Sequence, residues 1–113
     1  MTLEERSDLV LAFARVLYVN GQATDQTVAA TERLGSAFGL RSDLMPRWGE
    51  LQLLSGEKDG GLTRQVAANP TGVNMERVAS AMRAIEELRA GRLAPAAGPE
   101  AISGISQAPP APT

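Results

Sequence analysis

The sequence contains no cysteine and no histidine. The first absence removes disulfides, thiolate ligands and thiol nucleophiles; the second removes the commonest general base and the commonest metal ligand. No familiar pairing of nucleophile and base can be assembled from what remains, so an enzyme is the least favoured class, and neither cofactor nor metal site is expected. Aromatic residues are scarce, one Trp, one Tyr and two Phe, and eleven basic residues face thirteen acidic ones for a net charge of −2. A nucleic-acid groove with stacking platforms and a basic lining is therefore not expected. Long apolar runs are missing too. The longest, Leu9 to Ala14, stops at Arg15, far short of the ~20 residues that cross a bilayer. The amino end carries Glu4, Glu5 and Asp8 instead of a basic segment before an apolar block, which argues against a signal peptide and for a cytoplasmic setting.

What is present fits one small domain, since 113 residues are too few for two full cores. Leu62 to Val78 organises it. Leu62 to Ala68 has strand character and ends near Asn69 because Pro70 cannot donate to a ladder. Gly72 permits the turn and Asn74 caps the helix that follows.

Upstream, Thr2 and Glu5 have capping-box spacing. The first helix carries Leu9, Phe13, Val16 and Leu17 on one stripe and closes at Asn20-Gly21 through a left-handed cap. Thr24 is read as the cap of the second helix, with Asp25 at its positive end and Val28, Thr31, Leu34 and Phe38 on its less polar side; Gly39 stops it. So short a connection predicts an antiparallel helix pair. A hairpin is expected next, Trp48 to Leu54 with Leu62 to Ala68. Its register puts Leu51, Leu53, Leu62 and Val66 on one face and Glu50, Gln52, Thr63 and Gln65 on the other. The third helix runs from Asn74 to Ala90 with Met75, Val78, Met82 and Ile85 as its core stripe, Arg83 and Glu87 spaced to pair, and Gly91 as its stop. The fold class is thus α+β, an ααββα domain over residues 1–92, with residues 93–113 a Pro/Ala/Gly-rich linker or tail. Within that tail Glu100 to Ile105 has the makings of one helical turn, and Ala108-Pro109-Pro110-Ala111-Pro112 is extended and stiff.

Few residues suggest chemistry. The loop Gly56-Glu57-Lys58-Asp59-Gly60-Gly61 lacks the Gly-Lys-Ser/Thr ending of a phosphate cradle, and Glu57 with Asp59 falls short of a calcium loop; a solvated turn is the better reading. Arg64 is placed by alternation on the apolar face, where it needs a partner, Asp8 or Glu32, or an edge position. It is either a structural ion pair, the favoured reading, or a contact to a partner or anionic ligand. Trp48 is a candidate protein contact, tryptophan being enriched at interface hot spots, or a packing residue beneath the tail.

The order of these pieces resembles the amino-terminal domain of the threonine/serine exporter family. The resemblance is carried by Asn20-Gly21-Gln22-Ala23-Thr24, Ala37-Phe38-Gly39-Leu40, Leu51-Gln52-Leu53-Leu54-Ser55-Gly56, Thr63-Arg64, Gly72-Val73-Asn74-Met75-Glu76-Arg77-Val78 and Ala90-Gly91-Arg92-Leu93, then by Glu100-Ala101 to Ile105 and Ala108-Pro109-Pro110. It spans nearly the whole chain. The sequence departs from the family at Met45 to Glu50, which is unusually polar, and at Thr27, often basic there. The resemblance implies structural roles for Gly21, Thr24, Gly39, Thr63, Gly72 and Asn74. It also implies a domain on the cytoplasmic face of the cell membrane, regulatory or scaffolding in role. Its partner would be a membrane-spanning export domain, in the same chain or a separate one. Homo-oligomerisation is a further expectation. The alternative reading is a free-standing oligomerisation or adaptor module without a transport role, and a small-molecule sensor is a third.

Overall fold

A computed structural model describes residues 1–57 and 60–108. Lys58, Asp59 and residues 109–113 lie outside it, and with them most of the Glu57/Asp59 loop and the Pro-rich run. The chain is α+β, with four α-helices and a three-stranded antiparallel sheet: α1 Leu3–Val19, α2 Thr24–Ala37, β1 Arg41–Arg47, β2 Glu50–Glu57, β3 Gly60–Ala67, α3 Met75–Arg89 and α4 Gly98–Gln107, the last entered through a 3-10 turn at Pro95–Ala97.

The middle layer is α1, which packs on α2, on β2 and β3, and on both α3 and α4. Its sequence requires this. Leu9, Val10, Leu11, Phe13, Ala14, Val16, Leu17 and Val19 are all buried, an apolar surface too wide for one neighbour. The predicted capping box is present: Glu5 N donates to Thr2 Oγ1 at 3.0 Å and Thr2 N to Glu5 Oε1 at 3.1 Å. At the other end, Gly21 at φ 99° lets the amides of Gly21 and Gln22 turn back onto the carbonyls of Tyr18 and Leu17. The same closure, at φ 74° on Gly39, ends α2 through Gly39 N to Ser36 O and Leu40 N to Gly35 O. Helix α2 differs from expectation at its start. Ala23 is its N-cap and offers no side-chain bond, while Thr24 is already helical. Gln22 Oε1 takes the Ala23 amide at 2.9 Å and fixes the entry, so the start falls one residue before the hydroxyl that was to cap it.

The sheet order is β1-β2-β3. The β2–β3 register sets Leu51 opposite Val66, Leu53 opposite Arg64 and Ser55 opposite Leu62, as the alternation predicts. Leu51 and Leu53 are fully buried, each contributing roughly 2 kcal/mol by apolar burial. Two features of the hairpin differ from expectation. Strand β1 precedes it, and Trp48 with Gly49 forms the β1–β2 turn instead of opening a strand. Gly49, at φ 68°, turns the chain there. Strand β1 presents Ser42, Leu44 and Pro46 to the helices and Arg41, Asp43, Met45 and Arg47 to the outside. Only Leu44 among the inward residues is strongly apolar, and Pro46 is tolerated because this is an edge strand.

Helix α3 begins as predicted, Asn74 Oδ1 accepting from Arg77 N at 3.1 Å. Its buried stripe is Val78, Ala81, Ile85 and Leu88, with Met82 half-buried. Met75 is 53% exposed and leaves the core stripe. Glu87 pairs with Arg92 at 3.0 Å, and Arg83 donates to Ser80 Oγ, in place of the expected Arg83–Glu87 bridge. Beyond Arg92 the chain keeps folding. Helix α4 lies on α1 and α3 and buries Ile102, so residues 98–107, expected in the linker, belong to the packed body.

Candidate functional site

The residues singled out from sequence fall into two groups, a structural node and two surface positions. The node joins the family-like motifs. Asn74 N donates to Asn20 O at 2.9 Å and Thr71 N to Val19 O at 3.2 Å, binding the β3–α3 loop to the end of α1. Asn20 is itself buried and its side-chain amide donates to Val16 O at 2.8 Å. A methyl group at Gly21 would stand 3.1 Å from Val73 Cγ2, so the glycine serves both the closure and the close approach of this loop. Gly72, at φ 141°, turns the loop into α3. Gly39 lies apart, closing α2, and Thr63 is on the outer face of β3 opposite Leu54. These positions hold backbone in place and bring no chemistry together.

Arg64 sits on the helix-facing side of β3, and its Nε comes within 3.2 Å of Asp8 Oδ1, one of the two partners anticipated. The approach is too far off line for a hydrogen bond, and the two side chains are 38% and 60% exposed. This is an edge pair whose side chains are partly exposed while Arg64 Nε itself is shielded from solvent. An inward-pointing charge on β3, with Pro46 on β1, blunts both free edges of the sheet against pairing with other chains. Glu32 instead borders a shallow hollow with Ser36, Leu40 and Asp43 beside β1.

Trp48 is fully exposed at the tip of the β1–β2 turn and packs beneath none of the described residues. Beside it is an open concavity of about 590 Å³ lined by Tyr18, Pro46, Arg47, Gly49, Asn69 and Pro70. A tryptophan left wholly in water forgoes roughly 1.5–3 kcal/mol of burial, which makes this the strongest contact feature of the surface.

A buried group of hydroxyls escaped the sequence reading. Ser7 Oγ donates to Ser55 Oγ at 2.9 Å between α1 and β2, and Ser42, paired across the sheet with Ser55, is buried with no hydrogen-bond partner among the described residues. Ser42 and Ser55 lie outside the strands expected from sequence, and nothing local marks Ser7 as their neighbour. The cluster has no base beside it and reads as polar packing. Among the described residues no group of three carboxylates could hold a metal ion, and no helix is long and apolar enough to cross a membrane. Compared with protein-family models, with curated proteins and with solved structures, the chain finds no match.

Proposed function

We propose that this chain is a regulatory or scaffolding domain of a threonine/serine exporter-like transport system, docked on or tethered to a membrane-spanning export domain at the cytoplasmic face. The observation that carries this reading is the node: two stretches of the resemblance, Asn20-Gly21 and Gly72-Val73-Asn74, bond and pack directly against each other, while Thr63-Arg64, the other half of its most specific pairing, lies apart on β3. The contact gives these two stretches of the resemblance one place in the fold, where α1 ends and α3 begins. A path through lipid needs spanning helices, which the described residues do not supply, so the export path belongs to the partner.

The test has two steps. The coding frame, or its immediate neighbour, should encode several apolar segments of spanning length. The tagged chain, co-expressed with that product, should then co-purify with it from detergent, and its removal should change threonine efflux from loaded cells. Absence of such segments, or efflux unchanged without the chain, overturns the reading in favour of a free-standing adaptor. The exposed Trp48 is the feature that would serve an adaptor equally well.

A further inference from the structure

We propose that one end of the molecule, marked by Trp48, Val73 and Met75, rests on the surface of a lipid bilayer; this builds on the membrane-side reading above and adds a lipid contact to it. The end is defined by topology. Helix α1 finishes there, α2 starts there, β1 and β2 turn there at Trp48-Gly49, and β3 passes through residues 68–74 into α3. The contacts of Thr71 with Val19 and Asn74 with Asn20 hold these segments together, and Tyr18 shares the hollow beside Trp48.

Three of the six large apolar side chains exposed on the described surface gather at this end: Trp48 at 103%, Val73 at 78% and Met75 at 53%. Of the others, Met45 and Leu54 are on the outer face of the sheet and Met1 is at the opposite end of α1. They arise from two segments, Trp48 from the β1–β2 turn and Val73 with Met75 from the entry to α3, and Trp48 protrudes from the rim of an open hollow instead of filling it. A protein hot spot wants a packed pocket around it, whereas a bilayer surface accepts protruding apolar groups at one level, with an indole N–H at the headgroups. Charge agrees with a surface that does not select anionic lipid: Glu50 is opposite Arg47 across the β1–β2 turn, Asp25 and Glu76 are in the first turns of α2 and α3, and Arg77 donates to Ala108 O at 2.6 Å.

That last bond is the second observation. It brings the end of α4 back to the first turn of α3, so the described backbone leaves the fold at the same end, with Ala108 extended at ψ 135°. The sequence that follows is Pro109-Pro110, a stiff spacer by composition. Apolar points and exit therefore face the same way.

Two features of the sequence make the test direct: Trp48 is the single tryptophan, and there is no cysteine. A cysteine appended after Thr113 couples the chain to maleimide lipid in phosphatidylcholine vesicles. Expected are a blue shift of Trp48 emission relative to the uncoupled chain and loss of emission when the acyl chains are brominated. The double variant Val73→Asp/Met75→Asp, with its fold checked by circular dichroism, should reverse both effects, and Leu54→Asp should reverse neither. Emission identical to that of the free chain overturns the proposal. So does a blue shift without bromine quenching, which would place the indole against protein. A chain that fails here yet co-purifies with a membrane-spanning partner loses the lipid contact and keeps the transport role.

Discussion

Arg64 shows how little a charge on a core-facing position demands when that position is at an edge. Its pair with Asp8 is more than one-third exposed on both sides, so solvent screens it and its worth is at most about 1 kcal/mol. Arg64→Ala should lower stability by no more than that in a thermal melt. Arg64→Leu should melt at or above the parent temperature yet elute as larger species at high concentration on size exclusion, because β3 loses the inward charge that discourages edge pairing. The buried serines behave differently. Removing Ser7 strips Ser55 of its donor, so Ser7→Ala or Ser55→Ala should each cost about 1–3 kcal/mol, with the double variant costing less than the sum. Ser42→Ala removes a hydroxyl that has no partner among the described residues and should be neutral or stabilising. Chemical denaturation of the four chains checks all three expectations.

At the scale of elements, what could be read in advance followed from local chemistry. The helix closures at Gly21 and Gly39, the capping box at Thr2 and the cap at Asn74 involve residues within a few positions of one another, and each is found where the spacing puts it. The β2–β3 register followed from alternation of Leu51 and Leu53 against Leu62 and Val66. Strand β1 was hidden because only Leu44 among its inward residues, Ser42, Leu44 and Pro46, is strongly apolar and Pro is depleted in strands; α2 supplies the packing that overrides the weak local signal. The Thr2–Glu5 box makes a pH prediction. The Thr2 backbone amide, and after it the Thr2 hydroxyl, hold the Glu5 carboxyl below its ordinary value of 4.5. A depressed folded-state value means a contribution present above 4.5 and lost as pH falls through the lower folded value. Glu5→Gln keeps an acceptor but cannot titrate, so the parent's melting temperature should fall more steeply than the variant's across that acid window. The difference should be small, since the group is solvated.

For the molecule as a whole, the three-layer order of sheet, then α1 with α2, then α3 with α4, was the part least available to sequence reasoning. Ala-, Gly- and Ser-rich composition after Arg92 carries the signature of a linker, and only Ile102 and Ile105 hint at a face that must be covered. What fills the gap is long-range: α1 is apolar around most of its girth, and without α4 its Leu9 side would meet water. Gly98 shows how close the contact is, since a methyl group there would stand 3.0 Å from Leu9 Cδ1. The node and Trp48 were likewise visible as residues but not as places, because the meeting of Asn20 with Asn74 depends on the path of the whole chain. The layer order yields a test of where the domain ends. Ile102→Ala should cost about 2 kcal/mol or more, as deletions of buried aliphatic groups do. A chain ended after Arg92 should lose more, uncovering Leu9 and depriving Arg77 of the Ala108 carbonyl. If the shorter chain melted at the parent temperature, α4 would be an ornament on a complete domain. If it melts lower and less cooperatively, the fourth helix is part of what makes the fold.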